Sequence, residues 1–210
     1  MRSNCCDRSL IDDLTDPSQK FAILYGIWAC HYVGGEVTKQ RDAALEFLAE
    51  AERVNDTAAL CIAHRTVGTT YVTTGEFAAG LHHLERARGL YDSERHPCHR
   101  FQYGQDIGVA ALCYLSWALW HLGCFDQASA FAGKAIKRAE ELSHPHTLVF
   151  AICHAGGFMD LLGHRSEDIQ SHAASVVSLC SEHKFSHWIN CGHRFSRVGR
   201  KFAGVRWSKE

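Results

Sequence analysis

The sequence predicts an all-α fold of about four helical hairpins stacked side by side, and three observations predict it. Four glycines each close an apolar helical run: Gly35, Gly75, Gly123 and Gly163, separated by 40, 48 and 40 residues. Eighteen positions before each lies a residue that suits a helix start, namely Pro17, Thr57, Gln105 and Pro145; the good N-caps Asp16 and Asp56 stand one place earlier. A chain of 210 residues with 46% hydrophobic content, three prolines and no low-complexity run is long and apolar enough to bury a continuous core without staples.

Taken in order, residues 1–15 read as the end of a preceding helix or a disordered segment, because Leu10 to Leu14 resembles a last helical turn. Residues 16–184 form the repeats. Each unit is a helix of about four turns that ends near its glycine, followed by a second helix of similar length. The second helices are expected at 38–54, 76–92, 125–142 and 165–182. Leu81, Leu84, Ala87 and Leu90 mark one apolar face, and Ala128, Ala132, Ala135 and Ala139 another. Residues 185–210 are expected to hold a partial fifth helix over Phe185 to His193 and then a basic tail. Stacked hairpins without polar caps leave apolar faces at both ends, so the chain reads as a piece of something longer that self-associates when isolated.

Small residues recur where two helices must approach closely (Gly68, Ser116, Gly156), and aromatics follow the turn glycine to wedge the next helix (Phe77, Phe125). Ala87 and Ala135 leave room for the following unit. Together with Val67, Tyr71 and Leu84 in the second unit, and Leu115, Leu119 and Ala128 in the third, these residues resemble the tetratricopeptide pattern at a lengthened period. The expected architecture is therefore a tetratricopeptide-like right-handed superhelix; an irregular helical bundle is the alternative. The fourth unit fits least: Arg165 replaces the aromatic, Asp168 a small residue and His172 a core residue.

The stretches Leu90 to His96, Tyr103 to Val109 and Trp117 to Gly123 carry a closer resemblance, joined by Ala63-His64-Arg65, Gly68 and Gly75-Glu76-Phe77. Over Asp16 to about Phe185 the chain resembles the helical repeat region at the C-terminal end of large bacterial signalling proteins. In those, a class III adenylate/guanylate cyclase domain precedes an AAA-type or STAND-type ATPase domain. The departures are Ile107 in place of a proline, Cys124 in the turn after Gly123, and the tail. The resemblance implies a regulatory, protein-interacting arm in the cytoplasm, whose partner is another protein or an intramolecular domain. The sensor arm of a STAND-type transcriptional regulator is the rival reading, and a metal- or redox-binding helical protein a more distant one.

No catalysis or cofactor is expected of this chain itself. Gly133-Lys134 is followed by Ala135 and lacks the first glycine of a phosphate-binding loop, and no Gly-x-Gly-x-x-Gly is present. The net charge of −1, from 22 basic and 23 acidic residues, excludes a globally basic nucleic-acid binder. Residues 194–210 are locally basic (Arg194, Arg197, Arg200, Lys201, Arg206 and Lys209 against Glu210), but such a run reads as a solvated terminus, so no nucleic acid is expected. Ile107 to Phe125 is 19 residues without a formal charge, long enough for a membrane span. Ser116, His121 and the flanking Asp106 and Asp126 favour a buried helix instead, so no membrane is expected.

Ten cysteines without an apolar leader after Met1 point to a reducing compartment, with Cys61, Cys113, Cys153 and Cys180 buried as free thiols. The best metal-ligand spacing is Cys180, His183, His187, Cys191 and His193, but a turn expected near Lys184 breaks its face, and no metal site is assigned. His96, Cys98 and His99 would need remote partners. Cys30-His31 and Cys153-His154 are neighbours whose side chains diverge by about 100° on a helix. The better functional candidate is the face lined by the first helices, taken 10, 6 and 3 positions before each glycine. It holds Tyr25, Ala29 and Tyr32; Arg65, Thr69 and Val72; Cys113, Trp117 and Trp120; and Cys153, Gly157 and Asp160. Tyr25, Tyr32, Arg65, Thr69, Trp117, Trp120 and Asp160 are the candidate partner-binding residues, since Tyr, Trp and Arg anchor interfaces. The longer second spacing projects a loop with Arg95, His96, Pro97, Cys98, His99 and Arg100.

Overall fold

The first helix of each hairpin starts at a side-chain cap, and a two- or three-residue turn joins it to the second. The computed structural model describes residues 16–92 and 103–203, and among them the chain is all-α, with nine helices and no strand. They are α1 (Pro17–Gly34), α2 (Val37–Val54), α3 (Thr57–Thr73), α4 (Phe77–Leu90), α5 (Ile107–His121), α6 (Phe125–Glu141), α7 (145–162), α8 (Ser166–His183) and α9 (Ser186–Ala203). Helix α7 is composite: Pro145–Ala151 is α-helical, Ile152–Gly157 is a π-helical segment, and Phe158–Leu162 is α-helical again. The chain divides into two compact units, Met1–Tyr103 and Gly104–Glu210.

The capping residues act as their chemistry dictates. The Asp16 carboxylate accepts the Ser18 N–H at 2.9 Å, and Asp56 accepts that of Ala59 at 2.7 Å. The third first-helix starts two residues later than Gln105, because Asp106 is its cap and accepts the Val109 N–H at 2.9 Å. Gly35, Gly75 and Gly123 take positive φ (70°, 89° and 82°) in the turns between paired helices. In the fourth hairpin the left-handed position falls on His164 (φ 54°), while Gly163 keeps φ −84°. The π-helical segment inserts one extra residue into α7 and moves the turn along by one.

In the first unit, consecutive helices pack against one another, and α3 is buried on nearly every side. Along its run of threonines, Thr66, Thr70, Thr73 and Thr74 donate their hydroxyls to carbonyls four residues back, at 2.8–3.0 Å, which satisfies these hydroxyls within the packed unit. Helices α3 and α4 touch backbone to backbone: a methyl group on Gly68 would lie 2.6 Å from Leu84 Cγ and 3.1 Å from the Gly80 carbonyl oxygen. Phe21 of α1 meets Phe47 of α2 with ring centres 5.7 Å apart. Glu76, just before α4, takes a two-pronged bond from Arg41 of α2 at 2.7 and 2.9 Å.

In the second unit, Ala128, Ala132, Ala135 and Ala139 form the buried stripe of α6. The Asp106 N–H donates to Thr147 Oγ1 at 3.0 Å and ties the start of α5 to that of α7. Helix α9 runs through Ala203, well beyond the partial helix expected over 185–193. Trp188, Ile189 and Phe195 pack on the core of Val149, Ile152, Cys153, Val176 and Cys180, and Gly192 and Gly199 let α9 lie close on α8. Arg194, Arg197, Arg200 and Lys201 occupy its exposed side. Phe125 does not act as a wedge: it is 52% exposed and rests against Trp120. No helix among the described residues is long and apolar enough to cross a membrane, and the 107–125 run is divided by the turn at Gly123. Cys61, Cys113, Cys153 and Cys180 are buried and form no disulfide, and the Cys61 thiol donates to the Ala87 carbonyl at 3.3 Å. The expectations for residues 1–15, for the loop at 93–102 with its His96, Cys98 and His99, and for 204–210 lie outside the described residues.

Candidate functional site

The first helices of the second unit carry a continuous run of aromatic rings, organised by the π-helical segment of α7. There the Phe158 N–H, which would ordinarily reach the His154 carbonyl, bonds to Cys153 O instead. The Trp117 indole of α5 takes up the His154 carbonyl, donating from Nε1 at 2.7 Å. This bond holds Trp117 flat against α7, stacked on Phe158 at 3.9 Å and on His154 at 5.5 Å between ring centres. His154 stacks in turn on Phe150 at 4.0 Å, and its Nδ1–H donates to the Phe150 carbonyl at 3.0 Å, which settles the tautomer. Trp188 of α9 meets both Phe150 and His154 edge-on and donates Nε1–H to His146 Nε2 at 2.9 Å. That acceptor role needs a neutral His146, and burial lowers its pKa accordingly.

Trp117, His154, Phe158 and Trp188 are half-buried, so part of the run from α5 across α7 to α9 lies at the surface. Trp120, one turn beyond Trp117, is also half-buried. Asp160 points elsewhere: it is 4% exposed, and its carboxylate accepts from Arg165 at 2.9 and 2.6 Å and from His172 Nδ1 at 2.6 Å. Two of the three polar residues that depart from the sequence pattern, Arg165 and His172, are thus the partners of one buried carboxylate. The His172 ring presses on Gly156, where a methyl group would lie 2.9 Å from it.

In the first unit the candidates close on themselves. The Arg65 guanidinium, on a residue only 1% exposed, lies over the rings of Tyr25 (5.6 Å) and Trp28 (5.3 Å). Tyr32 stacks on Trp28 at 5.3 Å, and the Tyr25 hydroxyl donates to the Tyr103 carbonyl at 3.3 Å. Trp28 donates Nε1–H to Thr70 at 2.9 Å. Thr69 is wholly buried. Tyr25, Tyr32 and Arg65 therefore converge in one aromatic–cation cluster, but Tyr25, Arg65 and Thr69 are too buried to present a surface.

Spacing missed Trp28, His154 and Phe158. Trp28 holds the place that Gly68 and Ser116 hold in the next two units, so the pattern there suggested a small residue. His154 and Phe158 lie one position after Cys153 and Gly157 because the π-helical insertion displaces the register. The only local signal was the Gly156-Gly157 pair inside a helix. The chain matches no protein-family model and no curated protein.

Proposed function

We propose that the chain is a non-catalytic helical-repeat module, a tetratricopeptide-like right-handed superhelix of about four hairpins, that docks a protein partner or another domain of its own protein. The observation that carries this reading is the half-buried aromatic run over α5, α7 and α9, held by hydrogen bonds before any ligand arrives. Prearranged rings lose little conformational freedom on binding, which favours affinity per contact. Four helical hairpins, each turning through a left-handed residue, support the repeat architecture. The resemblance to the C-terminal region of bacterial cyclase–ATPase signalling proteins supplies the partner. The module docks on the cyclase or ATPase domain in the cytoplasm and shifts its activity by binding one conformation better than the other.

Isothermal titration of the full chain against the isolated cyclase and ATPase domains of such a protein tests this, with cyclisation and hydrolysis rates read in parallel. Binding that weakens by about tenfold or more in Trp120→Ala supports it, as for an interface anchor. No binding and no change in either rate at about 100 μM chain, corresponding to less than about 5.5 kcal/mol, would end it.

A further inference from the structure

Two histidines of the first unit face each other nitrogen to nitrogen. His64 of α3 and His83 of α4 set Nδ1 against Nδ1 at 3.0 Å, with ring centres 5.2 Å apart and planes inclined by 40°. The helices that carry them cannot separate freely, because Gly68 and Gly80 bring their backbones into contact one turn away. Burial, together with the neighbouring positive groups, lowers both histidine pKa values, that of His64 to about 4. The rings are therefore neutral near pH 7, so one Nδ1 donates its proton to the other and at most one proton lies between them.

A metal ion bonded to both nitrogens would displace that proton and sit beside the line joining them, about 1.4 Å off it, at an imidazole–metal bond of about 2.0–2.1 Å. At an imidazole–metal bond of about 2.0–2.1 Å, a 3.0 Å separation of the two nitrogens subtends about 94° at the ion. That angle is close to the ~90° between adjacent positions of a square-planar or octahedral ion, and well short of the tetrahedral ~109° that zinc prefers. We infer that His64 and His83 form a two-imidazole site for a divalent transition metal of square-planar or octahedral preference, nickel(II) or copper(II). No group of three or more His, Cys, Asp or Glu among the described residues is arranged to hold a metal, so water completes the shell. His83 is half-buried, which leaves the site open to water on one side. Glu52 of α2 adds a negative charge near His83, while Arg86 and His82 of α4 oppose it. That balance makes the site moderate in affinity and sensitive to pH, since both rings must be unprotonated to bind.

The test is a nickel(II) titration of the full chain labelled with 15N-histidine, under conditions that keep the cysteines reduced. The His64 and His83 imidazole signals are expected to broaden first, below one equivalent, and calorimetry should give about one equivalent of moderate affinity. His83→Gln should weaken that event by about tenfold or more, whereas His82→Gln, which alters only the exposed neighbour, should stay within about twofold. Broadening that begins at other histidines of the unaltered chain, or a His83→Gln chain that titrates like the unaltered one, would overturn the site. The signal-broadening arm needs no substitution, so it decides the question even where a variant folds poorly.

Discussion

Gly68→Ala tests the closest helix–helix approach in the first unit. An added methyl group would lie 2.6 Å from Leu84 Cγ, 3.0 Å from Leu84 Cδ2 and 3.1 Å from the Gly80 oxygen. Carbon atoms prefer about 3.5–4.0 Å, so the nearest contact is short by about 1 Å. Neither obstacle is the loose end of a flexible side chain: Leu84 is fully buried, and the other is backbone. Alanine in a helix interior gains about 1 kcal/mol over glycine, and overpacking costs about 1–3 kcal/mol. With two rigid obstacles the penalty belongs at the upper end, for a net loss of about 1–2 kcal/mol. Gly26→Ala is the control in the same unit: it is interior to α1 and nothing lies within 4 Å of the added carbon, so it should stabilise by about 0.5–1 kcal/mol. Urea unfolding followed by circular dichroism, compared at constant slope, should move the two midpoints in opposite directions. If Gly68→Ala raises the midpoint as Gly26→Ala does, the backbone contact between α3 and α4 is not there.

Leu119→Ala, at a position 5% exposed in α5, should cost about 2–5 kcal/mol; a loss below about 1 kcal/mol would place Leu119 outside the core. Trp117→Phe keeps a ring for stacking but removes the donor to the His154 carbonyl, a loss of about 0.5–1.5 kcal/mol. Amide exchange should then quicken around the π-helical segment ahead of the rest of α7, and unchanged exchange there would show that the indole bond does not hold the segment. The folded-state pKa values of His64, His83 and His146 lie below the unfolded value, so the native state binds fewer protons. The stability they contribute is complete above about pH 6.5 and is lost as pH falls toward the His64 value of about 4. Chemical denaturation at pH 7, 6, 5 and 4 should show that decline, and His83→Gln should flatten it.

Helix boundaries were legible in the sequence because their causes are local. Pro17 and Pro145 begin helices, Asp16 and Asp56 cap them, and Gly35, Gly75 and Gly123 take the positive φ that a short turn requires. The second helices fell within two residues of their expected bounds, since an alanine or leucine stripe at helical spacing must face a neighbour. Ser116, Ala87 and Ala135 are wholly buried where the repeat asked for small residues. The length of α9 was also written locally, in Trp188, Cys191, Phe195, Val198 and Phe202, but the charges beside them masked its apolar side.

The candidate surface was only half legible. Composition singled out Trp117 and Trp120, but whether a tryptophan faces a ligand or a neighbouring helix depends on what packs over it, and spacing carries no such information. A π-helical insertion leaves almost no trace in sequence, because it changes which carbonyl an N–H reaches and not which residues favour a helix. It moved His154 and Phe158 onto the aromatic run and turned Asp160 inward to Arg165 and His172. The sequence by itself determined where the helices start, turn and bury their stripes, through dihedral limits and hydrophobic spacing. Only the tertiary structure decided which rings stack, which carboxylate is enclosed and which histidines meet, because those outcomes depend on contacts between residues far apart along the chain.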